Sequence, residues 1–133
     1  MSEQKPFSLE KTVYYHDTDA GGVVYYGSYL RHLEEARTEF FHSRQINLKQ
    51  LANQDIYFVV ARIEIDFKSP AFYLDRLRIT AEIKEMRRTS MVCLQEITRE
   101  NQLILQAKVL LVCISGNFRP RAIPDQIRQS LAT

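Results

Sequence analysis

The chain has 133 residues, 45% of them hydrophobic, with no Pro-, Ser- or Gly-rich linker, which fits one compact domain spanning 1–133. Eighteen Lys and Arg stand against sixteen Asp and Glu, a formal charge of +2 that is too balanced for a nucleic-acid or anionic-lipid footprint. Cys93 and Cys113 lie far apart in apolar runs without metal spacing, which speaks against a disulfide framework and suits reduced, packed thiols. The Met1 to Leu9 leader is polar and no apolar run approaches the ~20 residues of a spanning helix. A soluble cytoplasmic protein without membrane insertion is expected.

Leu9 to Tyr15 alternates apolar and polar residues, as a half-buried first strand does. An Asp/Gly-rich segment follows, and at Ser28 the period changes. Advancing ~100° per residue from Tyr29 puts Tyr29, Leu30, Leu33, Ala36, Phe40 and Phe41 within one ~140° sector, which predicts a core-facing helix from about Ser28 to Arg44. Ile46 to Gln54 reads as a short polar connection with room for one helical turn. The period then becomes two: Ile63, Ile65 and Phe67 alternate with Arg62, Glu64, Asp66 and Lys68 up to Pro70. Leu77, Ile79, Ala81 and Ile83 alternate in the same way with Arg78, Thr80, Glu82 and Lys84. Strands from Ser90 to Arg99 and from Leu103 to Ser115 flank a Glu100-Asn101-Gln102 hairpin, and the apolar run Val109 to Ile114 predicts cover on both faces. Pro124, before Asp125 and Gln126, suits the first turn of a short terminal helix. One long helix followed by consecutive strands predicts an α+β fold, with the helix packed on a curved five-stranded antiparallel sheet. Such a sheet has two edges, and pairing with a second copy covers an apolar one, so a homo-oligomer is expected.

Charged groups out of place carry the chemical signal. On the helical wheel Arg37 falls at ~80°, inside the apolar sector, and Glu34 at ~140°, on its border. Three residues apart, they are expected to form a buried or interfacial ion pair, or to put Glu34 on the wall of a ligand cleft. Asp17 and Asp19 occupy a turn, where Asp serves as Asx-turn former, helix cap or catalytic carboxylate. A calcium loop does not fit, since the third acidic ligand is missing and position twelve is Ser28, so no metal is expected. Gly21 and Gly22 permit a positive φ and a close approach to a ligand, or simply the tight turn. His32 and His42 fall outside the apolar sector of the helix and are expected in solvent, while His16 sits beside Asp17 at the strand end. Arg87-Arg88-Thr89-Ser90 offers forked donors and hydroxyls to a phosphate, or stays solvated in its hairpin. Arg119 and Arg121 are weaker candidates of the same kind.

The run Asp17-Thr18-Asp19-Ala20-Gly21-Gly22-Val23-Val24-Tyr25-Tyr26, followed by Tyr29 and Glu34-Glu35-Ala36-Arg37, resembles the hotdog-fold thioesterases of the 4-hydroxybenzoyl-CoA thioesterase family. Ile65-Asp66-Phe67 with Pro70, Asp75-Arg76-Leu77, Arg87-Arg88-Thr89-Ser90 and Val112-Cys113-Ile114 fit that family at matching distances, so the likeness spans most of the chain. It implies a hotdog fold, a long helix gripped by the curved sheet, assembled as a homodimer or homotetramer. It also implies hydrolysis of an acyl-CoA substrate with no separate cofactor, coenzyme A being part of the substrate. By this resemblance Asp19 is the catalytic nucleophile or water-activating base, and the backbone N–H of Tyr26 at the helix start holds the oxyanion. Asp17, Gly22, Glu34 and Arg37 support them, and Arg87, Arg88 and Ser90 hold the coenzyme A phosphates. The related Tol-Pal-associated acyl-CoA thioesterases have His where this chain has Tyr26, whereas hydroxybenzoyl-CoA enzymes and cyanobacterial 1,4-dihydroxy-2-naphthoyl-CoA hydrolases have Tyr. With a tail of Val112-Cys113-Ile114 and then Ile123-Pro124, the resemblance points first to 1,4-dihydroxy-2-naphthoyl-CoA, of phylloquinone or menaquinone biosynthesis. A short-chain or general acyl-CoA comes second, and a non-catalytic acyl-binding protein third.

Overall fold

The computed structural model of the chain describes residues 6–132; residues 1–5 of the polar leader and residue 133 lie outside the described residues. In chain order it has β1 (Phe7–Thr12), a 3₁₀ turn (Tyr15–Asp17), α1 (Tyr26–Ser43), α2 (Leu48–Asn53), β2 (Tyr57–Phe67), β3 (Arg76–Met86), β4 (Ser90–Arg99), β5 (Gln102–Ile114) and α3 (Asp125–Leu131). All five strands join one antiparallel sheet in the order β1-β3-β4-β5-β2, so the α+β fold is as expected and β1 and β2 are its edges.

The helix stripe and the inward residues of the strands meet. Tyr29, Leu33, Ala36, Phe40 and Phe41 of α1 are buried, and the helix lies against β1 and β3. Under its first half sit Leu77, Ile79, Ile97 and Leu105; under its second half sit Met91, Cys93, Val109, Leu111 and the α3 residues Ile127 and Leu131. Burying one side chain the size of Leu33 contributes about 2 kcal/mol. Cys93 and Cys113 are buried and unpaired, and burial pushes the Cys93 thiol up to about 12, as suits inert packing.

Four expectations shift. β1 stops at Thr12 instead of Tyr15, because the Asp17 carboxylate takes the Tyr14 N–H at 2.9 Å and the chain turns into the 3₁₀ segment. α1 begins at Tyr26, two residues early, with Tyr25 as an extended N-cap. β2 runs back to Tyr57, and its first half does not alternate because the register slips between Val60 and Arg62, as a bulge does. The run from Val109 to Ile114 is covered on both faces only at its end: Val109, Leu111 and Cys113 are buried, Leu110 and Val112 on the other face are half-buried, and only Ile114 of that face is buried. The short connection after α1 does carry a helical turn, α2, because the Asn47 side chain accepts the N–H groups of Lys49 and Gln50. Pro124 is the N-cap of α3.

Candidate active site

Between β1 and α1, residues 17–25 fold into a miniature hairpin. Tyr25 N–H donates to the Asp17 carbonyl at 3.2 Å, Asp19 N–H to the Val23 carbonyl at 2.9 Å, and Gly22 N–H to the Asp19 carbonyl at 3.0 Å. Gly22 closes this turn at φ 82°, a left-handed conformation that disfavours any side chain. Gly21 N–H donates to Asp19 Oδ1 at 2.8 Å, so Asp19 forms an Asx-turn and its other carboxylate oxygen has no partner among the described residues. The hairpin is fastened to the connection between β2 and β3 by Val24 N–H donating to the Ala71 carbonyl at 2.9 Å and by a bridge between Val23 and Phe72.

Asp19 is exposed, whereas Asp17, two residues earlier, is only 1% exposed. The Asp17 carboxylate accepts the Tyr14 N–H and the Arg31 guanidinium, and faces His32 Nε2 at 3.5 Å and His16 Nε2 at 3.7 Å. Burial alone raises such a carboxyl, but the Tyr14 N–H, the facing His32 imidazole, the Arg31 guanidinium and the His16 ring outweigh it and hold Asp17 below the ordinary carboxylate range. His32 is thereby a correction to the sequence reading: it is 2% exposed, not solvated. A helical wheel measures the helix against the sheet alone, and here the Asp17 loop folds over the opposite flank. His42 is exposed as expected.

Beside the hairpin, Val23, Val24, Tyr26, Tyr29, Phe67, Lys68, Ser69 and Pro70 line a largely apolar groove of about 410 Å³. The N–H groups of Tyr26 and Gly27 open α1 and donate to no backbone carbonyl among the described residues, so they and the positive end of the helix dipole stand unpaired at the helix start, where Tyr26 lines the groove. Tyr29 is buried and its hydroxyl accepts the Ala71 N–H at 3.2 Å, which fixes the groove floor. Phe67 and Lys68 were read from the sequence as strand positions, Phe67 also as part of the Ile65-Asp66-Phe67 motif before Pro70, but neither they nor Ser69 were expected to line the site. A carboxylate, two free N–H donors and an apolar trough together can receive a carbonyl compound and stabilise negative charge developing on its oxygen.

The other predicted residues lie elsewhere. Glu34 and Arg37 do not form the expected ion pair. Arg37 Nη1 donates to Gln95 Oε1 at 3.0 Å, and the Thr38 hydroxyl donates to Glu34 Oε1 at 3.0 Å. Gln95 wins because it is buried with its Nε2 donating to the Leu33 and Thr80 carbonyls, which turns its oxygen toward Arg37. Burial lowers the Arg37 pKa, while Cys93 and Glu34 act the other way. Glu34 and Arg37 still share a depression of about 160 Å³ with Phe41, Phe58 and Val60 beside the β2 edge. Arg87, Arg88 and Ser90 sit at the far end of β3 and β4 from the hairpin. Arg87 pairs with Glu85 at 2.9 Å, and Arg128 donates to the Arg87 and Arg88 carbonyls at 2.6 and 2.8 Å, which fixes the backbone of this turn. Arg121 donates to the Asp55 carbonyl at 3.0 Å and braces the end of α2. β3 alone has eleven residues, ten steps that cover about 33 Å at strand rise, so one chain does not bring Asp19 and the arginine turn together.

A model of the thioesterase-like superfamily matches residues 13–131. An acyl-CoA thioester hydrolase, YbgC, of Escherichia coli O6:H1 is 43% identical over 117 residues, covering 86% of this chain and 87% of the relative. A 1,4-dihydroxy-2-naphthoyl-CoA hydrolase of Nostoc punctiforme is 32% identical over 129 residues, covering 96% of this chain and 87% of the relative. Among solved structures, a 1,4-dihydroxy-2-naphthoyl-CoA thioesterase from Synechocystis superposes with a TM-score of 0.88 at 27% identity and covers 96% of each chain.

Proposed function

The chain belongs to the thioesterase-like superfamily and is a thioesterase, and from that premise we propose that it hydrolyses an acyl-CoA thioester with Asp19 as the reacting carboxylate. The observation that carries this reading is the exposed Asp19 carboxylate, with one oxygen tied to Gly21 and the other free, close along the chain to the unpaired N–H groups of Tyr26 and Gly27. Two routes use it. In one, the free oxygen attacks the thioester carbon, coenzyme A leaves as the thiol after taking a proton, and water opens the resulting anhydride. In the other, Asp19 takes a proton from water as that water attacks the same carbon. In both, the Tyr26 N–H meets the oxyanion, a contribution on the order of 10²–10³ in rate for one such donor.

The phosphate end of the substrate requires a second copy. The roughly 33 Å along β3 is longer than one coenzyme reaches from phosphate to thioester, so the Arg87, Arg88 and Ser90 turn of a partner would hold the phosphates. The free β2 edge supports this, since Tyr57, Val59, Val60 and Phe67 are exposed along it. Antiparallel pairing of two β2 edges about a twofold axis sets the Phe67 groove of one copy beside the Tyr57 end of the other. That end is where the partner's arginine turn and its Glu34 and Arg37 depression lie. The unpaired Cys93 and Cys113 suit a reducing cytoplasmic setting.

For the acyl group, the Tyr26, Tyr29 and Phe67 lining of the groove favours an aryl thioester, with 1,4-dihydroxy-2-naphthoyl-CoA first. A second reading, a short-chain or general acyl-CoA, is favoured by the 43% identity to the Escherichia coli acyl-CoA thioester hydrolase. Free-thiol release measured across aromatic and aliphatic CoA esters decides between them. A kcat/KM at least ~10-fold higher for the aryl esters is expected for the first; a preference for aliphatic esters assigns the second, and no thiol release from any ester would leave an acyl-binding protein.

A further inference from the structure

We propose that Asp17, His32 and Ser28 form a buried hydrogen-bond relay that holds the reactive hairpin against the start of α1, which makes His32 and Ser28 positioning residues for the hydrolysis assigned to Asp19. The three side chains come from the hairpin and from two successive turns of α1, and all are nearly sealed from solvent, at 1%, 2% and 0% exposure. None of them lines the groove.

Donor and acceptor chemistry gives the relay its direction. An ionised Asp17 only accepts, and its Oδ1 faces His32 Nε2 at 3.5 Å, so the single proton of a neutral imidazole belongs on Nε2. Nδ1 is then a bare acceptor. His32 Nδ1 and Ser28 Oγ are both buried without a partner among the described residues, and the two residues stand one helical turn apart on the same face of α1. The two atoms are not in direct hydrogen-bond contact, so the link is made by a change of the Ser28 rotamer or by one internal water, either of which lets the hydroxyl donate toward Nδ1 and satisfies both groups at once. Burial acts to keep the imidazole neutral, aided by Lys11 and Arg31 and opposed by Asp17 and Glu35.

The relay reaches the reacting groups through backbone. Asp17 uses its side chain toward α1 and its carbonyl toward the Tyr25 N–H, the N-cap of the same helix. The turn bearing Asp19 begins two residues later, and the Tyr26 N–H lies one residue past that cap. A displacement of Asp17 therefore moves the carboxylate and the oxyanion donor relative to each other, and small misplacements of reacting groups cost about 10²-fold in the extreme.

The test combines a spectroscopic readout of the unaltered enzyme with kinetics of variants. Long-range ¹H–¹⁵N spectra at pH 7.5 are expected to show His32 as the Nε2–H tautomer; the Nδ1–H tautomer or an imidazolium would overturn the relay. His32→Leu is expected to lower kcat about 10-fold or more with KM within about 3-fold, while His32→Gln, which returns an N–H donor toward Asp17, recovers most of it. Ser28→Ala is expected to lower kcat by about 3-fold. A folded His32→Leu enzyme with kcat within about twofold of the parent, or a His32→Gln enzyme as impaired as His32→Leu, would also overturn it. If His32→Leu does not fold, the tautomer and the Gln and Ser28 variants decide. The proposal rests on the Asp19 reading, which fails separately if Asp19→Asn keeps full turnover, whereas the tautomer measurement does not involve Asp19.

Discussion

At the groove end of the sheet, Asp17 is buried under four nitrogen-bearing neighbours and Asp19 is tied by the Gly21 N–H, whereas at the opposite end Arg87 and Arg88 are exposed. There the surroundings fix only the backbone, through Arg128. The first end spends buried polar contacts on holding two residues of a turn in one geometry. The second presents exposed cations, with Arg87 in a surface ion pair of the kind worth at most about 1 kcal/mol. On the proposed reading the contrast matches different tasks: geometry matters where a bond is made, and charge without fixed geometry is enough where a flexible anion is captured.

The sharpest way to break this contrast is at Asp19. Asp19→Asn keeps an acceptor for the Gly21 N–H, so the turn and the melting temperature are expected to stay near those of the parent, while kcat falls at least ~10²-fold. Near-normal turnover in that folded variant would remove the catalytic assignment. At the other end, Arg87→Ala with Arg88→Ala is expected to raise KM about 10-fold and leave kcat within about twofold, the pattern of uniform binding. Raising the salt concentration should raise the parent KM and do so less in the double variant, because these cations are exposed to screening. A kcat loss as large as that of Asp19→Asn would show that the arginine turn is as geometrically demanding as the hairpin.

Much of this frame was legible in the sequence because its signals are local. The stripe Tyr29, Leu33, Ala36, Phe40 and the alternation in β3 follow from the periods of helix and strand, and they located the core correctly. The first half of β2 was not legible, since one bulge at Val60 and Arg62 shifts the alternation out of phase. Arg37 was misassigned to Glu34 because its partner, Gln95, lies 58 residues away and no helical spacing reports it. The burial of His32 was hidden for a similar reason: its cover comes from a hairpin whose path depends on the Asp17 contacts. Nothing local to Asp17 and Asp19 says which is buried. Nor does the order of motifs reveal that the arginine turn and the hairpin lie at opposite ends of the sheet, a consequence of β3 running between them.

A milder perturbation concerns the turn backbone. Gly22→Ala introduces a methyl group that meets nothing within 4 Å, so its cost is the left-handed φ of 82° alone. That places the loss of stability at about 1 kcal/mol. Because the strain falls on the closing residue of the Asp19 turn, kcat is expected to drop by a few-fold with KM little changed. An equal loss of stability without any change in kcat would mean that the turn tolerates movement and that the groove end is less preorganised than its hydrogen bonds imply.

Acid should produce the smallest effect at neutral conditions and the most selective one. Folded His32 resists protonation, chiefly through burial, while the unfolded imidazole titrates near 6.5. Above that pH neither state binds the proton and His32 is silent. Below it the unfolded chain takes up a proton that the folded chain refuses, so stability falls with pH until the lower folded value is reached. Asp17 shifts the same way for a different reason: although burial raises it, its carboxylate is held below its ordinary 3.8 by the Tyr14 N–H and by attraction to His32, Arg31 and His16. It stabilises the fold above that value and loses this contribution as the pH falls through its folded pKa. Two successive losses are thus expected in a melting-temperature profile, the first beginning near pH 6.5. His32→Gln should flatten the first and leave the second, whereas Asp17→Asn should remove the second. A first slope that survives His32→Gln would assign the acid sensitivity to another group and separate the stability of the groove end from its buried histidine.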